Sequence, residues 1–249
     1  MATIGQYPNR APPPCPDWVF SNTSDTHVAK DRCWFGTDYT PFSSYVTDMA
    51  GGSAEVIGMG AVNLTTMNSP NETDPSLRDS LHLKNVLHVP AMLCNIIGSP
   101  MMEDYNVILG TSSPDNSGQI MSEDGRTVAY FKPMDPGPKL YLVQISEPPS
   151  GYQFAFSPFH PNGLYLIHAF WSRVERQRFA DLKAYGLTHV SGVDPLTESE
   201  KIWFTRNHMS QDRILVAYGL DNNRREHRQE ARAIMRILKS HAEVDILDY

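Results

Sequence analysis

Ser21, Asp25 and His27 stand within seven residues of one another, and they are types that do chemistry together. A serine hydroxyl, an imidazole and a carboxylate are the parts of a nucleophilic triad. The surrounding Ser21-Asn22-Thr23-Ser24-Asp25-Thr26 has no Gly-x-Ser-x-Gly elbow to expose the serine. Almost any chain of this size offers such a trio on paper. His82 and His88 alternate onto one strand face, but strand rise separates them by about 20 Å, too far to share a metal ion. Cys15, Cys33 and Cys94 lack the spacing of a zinc site. No metal site and no cofactor are expected.

The elements around these residues read as strand and turn. Trp18-Val19-Phe20 is a short apolar run, as in a buried strand, and Ser21 to Thr26 is small and polar, as in a tight turn. From Trp18 to Ile145 short apolar segments recur between Gly, Pro, Asn and Asp clusters, which predicts an all-β domain. Ala54–Ile57 and Gly60–Leu64 flank Gly58 and suggest a hairpin there. Leu81, Leu83, Asn85, Leu87 and Val89 alternate onto a face that should point inward. Ser99-Pro100 reads as an N-cap and first helical position for a short helix over 101–105. Glu123-Asp124-Gly125-Arg126 is a hairpin turn, since Gly125 can take positive φ.

The segment from Trp18 to Val28 resembles the opening of the aspartic protease in copia- and Tnt-type retrotransposon Pol polyproteins, Trp-x-x-Asp-Ser-Gly-Ala-x-x-His-Met. Trp18 and His27 are in register, and Val28 stands at the methionine. Leu83-Lys84-Asn85-Val86-Leu87-His88-Val89-Pro90 is similar to the family's Leu-Lys-Asn-Val-Leu-Tyr-Val-Pro, and Asn95-Ile96-Ile97-Gly98 to its Asn-Leu-Leu-Ser. Val56-Ile57-Gly58-Met59-Gly60-Ala61-Val62 and Leu140-Tyr141-Leu142 match more loosely. The resemblance implies a mainly β fold, a closed retropepsin-like β-barrel, with the Gly58 hairpin as its flap. It also implies a cleft where two carboxylates share a proton and activate water.

The chain departs from that pattern where the chemistry lies. Asp-Ser-Gly falls on Ser21-Asn22-Thr23, and a serine hydroxyl has no accessible anion at neutral pH. Asp25-Thr26 resembles the Asp-Thr of Asp-Thr-Gly, but His27 occupies the glycine place. The degenerate motif Ser21, Asn22, Thr23 therefore implies no catalytic residue, with Asp25 the alternative. The implied function is a domesticated or degenerate transposon protease-like protein that serves as a binding or assembly module. The alternative is an enzyme, either an aspartic endopeptidase using Asp25 or a barrel repurposed around a small molecule.

The domains expected are a proline-rich leader over 1–16, the barrel over 17–146, a linker over 147–163 and an α-helical extension over 164–249. Leu164 to Tyr185 reads as helix, with Ile167, Trp171, Val174, Leu182 and Tyr185 on one face and Gly186 as its stop. Thr197-Glu198-Ser199-Glu200 is a capping box. Ile214–Tyr218 fits helix or strand equally. Asp221 would cap a last helix, on which Arg224, Arg225, Arg228, Arg232 and Arg236, interleaved with Glu226 and Glu230, form a solvated face.

Composition narrows the partners. Apolar residues make up 41% and charged residues 20% of 249, ordinary values for a folded domain that buries a core. Residues 1–150 hold 8 Lys and Arg against 16 Asp and Glu, so nucleic acid is not expected as a partner. No apolar run reaches the length of a membrane span, and no signal peptide is visible. Three cysteines, an odd count, suit free thiols in an intracellular compartment, cytoplasmic or nuclear. A peptide or protein partner fits, with the chain monomeric or a weak homodimer.

Overall fold

The computed structural model describes residues 12–69, 78–110, 117–133, 138–184, 195–217, 220, 222–223 and 225–244. Among these residues the protein is mainly β, with a helical C-terminal part. The expected cap Asp221, the stop Gly186 and Tyr185, together with most of the leader, lie outside the described residues.

Among the described residues ten strands form two sheets. β1 (Trp18–Ser21), β2 (His27–Ala29), β3 (Thr40–Thr47), β4 (Ser53–Met67), β5 (Arg78–His88), β6 (Asn95–Gly98) and β10 (Tyr141–Leu142) make a seven-stranded mixed sheet. Its order is β10-β1-β6-β2-β5-β4-β3. β7 (Asn106–Leu109), β8 (Gly118–Met121) and β9 (Thr127–Tyr130) make a three-stranded antiparallel sheet. The closed barrel expected from the sequence is not formed among the described residues: β10 and β3 remain the two edges of the larger sheet.

The central strands are buried on both faces, so neighbouring residues feed different cores. Trp18, Phe20, Ala29, Val86 and Ile97 point into a core shared with Ile120 and Val128 of the smaller sheet and with Phe131 just beyond it. Their neighbours Val19, Val28, Leu87 and Ile96 point the other way, into a core closed by Phe159, Ala169 and Trp171. Period-two geometry with both sides covered explains why these strands are continuous apolar runs.

Two strand expectations need correction. The predicted hairpin at Gly58 does not exist; β4 runs unbroken from Ser53 to Met67, and the hairpin turn lies at 48–52 between β3 and β4. Gly58 is needed for close approach instead, because a Cβ there would sit 2.1 Å from the Tyr39 hydroxyl. In β5 the alternation breaks at Asn85, whose φ is +52°. The pairing passes from Val62–Leu83 to Gly60–Val86, two residues against one, which is a bulge. Asparagine tolerates that left-handed backbone better than most residues. Asn85 is therefore exposed, and Val86 joins the core in its place.

The helical part also differs from expectation. Residues 164–172 are extended, and α1 spans only Arg173–Ala184. α2 (Glu198–Arg206) carries the predicted capping box: the Thr197 hydroxyl accepts from the Glu200 amide, and the Glu200 carboxylate accepts from the Thr197 amide at 2.7 Å. Ile214 lies in α3 (Gln211–Ala217). α4 (Arg225–Val244) buries Ala231, Ile234 and Met235 against Phe204, Leu215 and the β4 residue Ile57. Its Glu230 is not part of a solvated face. It is buried against Arg32 at 2.6 Å. The short helix after β6 is 3-10, over Ser99–Glu103, and its N-cap position is Gly98 rather than Ser99. No helix among the described residues is long and apolar enough to cross a membrane.

Candidate functional site

β1 delivers Ser21 to the head of a turn, and β2 begins at His27. Parallel pairing of β1 with β6 brings Ser21 opposite Gly98. Gly98 is where the turn presses hardest: a Cβ there would lie 2.2 Å from the Thr26 carbonyl oxygen and 2.9 Å from that of Ser24. Both obstacles are backbone and cannot swing aside. Gly98→Ala is expected to cost roughly 1–3 kcal/mol or more through overpacking, read as a lower urea midpoint; an unchanged midpoint would show that the turn yields freely.

The turn is held by hydroxyl groups with a fixed sense. The Ala169 amide donates to Ser24 Oγ (3.0 Å), Ser24 donates to Ser21 Oγ (3.0 Å), and Ser21 donates to the Ile167 carbonyl (3.2 Å). Ser21 has thus committed its only hydrogen. The Ser21–Thr23 contact at 3.2 Å then requires Thr23 to donate, and the Thr23–His168 contact at 3.1 Å requires His168 Nδ1 to carry the proton. The Ser21 oxygen accepts twice and donates once. It is fully engaged, and no base reaches it directly.

The sequence-predicted site residues separate. His27 Nδ1 accepts the Gly98 amide at 3.0 Å and meets neither Ser21 nor Asp25. Burial pushes its pKa down to about 4, against a smaller upward pull from Asp104. Asp25 Oδ1 accepts the Trp171 amide at 2.8 Å and lies 3.0 Å from Arg176. Asn22 is exposed. Asp17 is buried with one oxygen 3.4 Å from Lys132 and the other without a partner. His82 is exposed, whereas His88 is fully buried and bonded through Nδ1 to Tyr39. Among the described residues no three His, Cys, Asp or Glu side chains group as a metal would require. Cys15, Cys33 and Cys94 are free, and burial raises all three thiol pKa values, Cys15 to about 11 and Cys33 to about 12. Such thiols are protonated and inert at neutral pH.

The extended segment 164–171 was not legible as part of this site, yet it lies across it. It runs between the Ser21–Asp25 turn on one side and β3 on the other. Phe170 exchanges both backbone hydrogen bonds with Thr47, at 2.8 and 2.9 Å. The Ala169 carbonyl accepts the Asp25 amide at 3.2 Å. Arg176 clamps the end, donating to the Trp171 and Asp25 carbonyls. Trp171 buries its ring against Phe42 and Phe179 and donates from Nε1 to Ser44 Oγ at 2.9 Å. The available signal was the unbroken run Leu164-Tyr165-Leu166-Ile167-His168-Ala169-Phe170-Trp171, which fits a buried strand as well as a helix.

Residues 18–107 match the family model of the Pol polyprotein beta-barrel domain, which supports a retrotransposon Pol domain over this stretch. No curated protein and no solved structure matches the chain.

Proposed function

We propose that the chain is a degenerate or domesticated transposon protease-like protein of retropepsin type, acting without catalysis as a binding or assembly module. The observation that carries this is Ser21. A carboxylate dyad needs an ionisable group at the head of the turn, and Ser21 offers a hydroxyl whose hydrogen and lone pairs are all engaged. Asp25, the alternative carboxylate, is spent on the Trp171 amide and Arg176. A division into a leader to residue 16, a β-domain over 17–146, a linker over 147–163 and an extension over 164–249 goes with this reading. An intracellular compartment goes with it too, supported by three free thiols.

Purified protein should leave casein and mixed peptide libraries intact between about pH 3 and 7, where carboxylate dyads carry their shared proton. Pepstatin-sensitive cleavage that vanishes in Asp25→Asn but survives in Ser21→Ala would return the chain to the peptidases.

A further inference from the structure

The segment over the Ser21 turn is held as a ligand would be. Consecutive β-strands in one sheet share a running ladder of backbone bonds. Here only Phe170 pairs with a strand, through Thr47. Most other bonds to the segment come from the turn, through the Ser21 and Ser24 hydroxyls and the Asp25 amide and carboxylate; Arg176 of α1 adds one to the Trp171 carbonyl, and Ser44 of β3 accepts from the Trp171 ring. A backbone bound on both edges, with alternate side chains dropping into pockets, is the arrangement of peptide recognition by strand addition.

The pockets define a pattern. Ala169 is completely buried, so its place admits only a small side chain. Two residues on, Trp171 fills a pocket walled by Phe42 and Phe179 with a polar end at Ser44. His168 reaches Thr23, while Phe170 between the two deep residues points outward. The segment also enters the site loosely. Leu164 is 96% and Leu166 72% exposed, and Phe156 upstream is fully exposed. Beside it runs a cavity of about 430 Å³, lined by Val46, Met92, Leu93, Leu166 and His168. The groove is thus longer than the stretch that the segment fills tightly.

We propose that this groove is a binding site for an extended peptide with a small residue followed two places later by tryptophan, and that residues 167–171 occupy it in cis. The proposal rests on the non-catalytic reading above and names the ligand class of that same site. A tethered segment competes at an effective concentration in the millimolar range, so the wild-type chain binds such a peptide weakly. Unseating the segment exposes the site.

The test uses the full chain and a fluorescein-labelled peptide, Gly-Leu-Tyr-Leu-Ile-His-Ala-Phe-Trp-Ser, read by fluorescence anisotropy. Ala169→Arg cannot seat its own segment and should bind the peptide at least tenfold more tightly than wild type. A peptide carrying arginine in place of its alanine should bind neither protein. Equal affinity of a folded Ala169→Arg and wild type overturns the proposal, as does equal binding of the arginine peptide. Should Ala169→Arg lose its cooperative melt, Trp171→Ala takes its place under the same criterion. Cleavage of the bound peptide, seen by mass spectrometry, would overturn the non-catalytic reading and leave the groove standing. Absence of binding would do the reverse. Light scattering that finds a wild-type dimer turned monomeric by Ala169→Arg would seat a second copy's segment in the groove and overturn the free-peptide ligand.

Discussion

Arg32→Met is expected to lower the unfolding free energy by about 3–5 kcal/mol, the usual cost of removing one partner from a buried ion pair. Arg32 follows β2 in a short 3-10 turn, and Glu230 lies in α4, far away in the chain. Their side chains are 13% and 8% exposed and meet at 2.6 Å. Burial raises the Glu230 pKa, with Arg32 pulling the other way. Removing the guanidinium leaves a carboxylate with burial and no counter-charge. Arg32 also donates to the Phe35 carbonyl and lies 4.1 Å over the Tyr39 ring; methionine keeps the apolar stem over that ring while deleting the charge. Glu230→Gln added to Arg32→Met should recover much of the loss, because a neutral amide costs less to bury. Urea unfolding of the four proteins in a double-mutant cycle measures the coupling. A loss below about 1 kcal/mol in Arg32→Met would mean that water relieves the pair and that it does not fasten α4 to the sheet.

The strands at the site were readable because each is short, apolar and bounded by turn residues, as in Trp18–Phe20 and Asn95–Gly98. The turn after β1 was readable too, since Ser21 to Thr26 is small and polar. What escaped is what depends on partners distant in the chain. Asn85 looks like one more alternating position, and only its pairing with β4 shows the bulge that reverses the face. Gly58 suggests a turn, whereas its role is to admit the Tyr39 ring from the loop before β3. Ile167, Trp171 and Val174 recur at helical spacing, yet the Ser21 turn and Thr47 offer the backbone of 167–171 hydrogen bonds that hold it extended. Glu230 sits among arginines on its own helix, and its actual partner comes from the β-domain. Local pattern carries information about local structure; these four positions are decided by tertiary contacts that override it.

The histidine contribution to stability should fall as the pH drops below about 6.5, and two buried histidines set its sign. His27 and His88 have pKa values lowered to about 4 and about 3, in both cases chiefly by burial. Arg32 adds to the lowering at His88, while Asp104 opposes it at His27. An unfolded histidine titrates near 6.5. Between that value and the folded pKa the unfolded chain binds protons that the folded chain refuses, so protonation favours unfolding. Each histidine contributes up to about 1.4 kcal/mol per pH unit in that range. Asp31, Glu55 and Glu230 act in the opposite sense. Their pKa values are raised by burial, so the folded chain holds protons that the unfolded chain has released, and they favour folding as the pH falls. The net slope is therefore smaller than the histidines alone would set, and a single variant isolates one of them. In His88→Gln the glutamine can still reach the Tyr39 hydroxyl but cannot take up a proton. Its urea-derived stability between pH 6 and 4.5 should fall less steeply than wild type by about 1.4 kcal/mol per pH unit. His27→Gln, beside the Gly98 amide, should flatten the same window independently. Parallel slopes for wild type and both variants would show that neither histidine is held neutral in the folded protein.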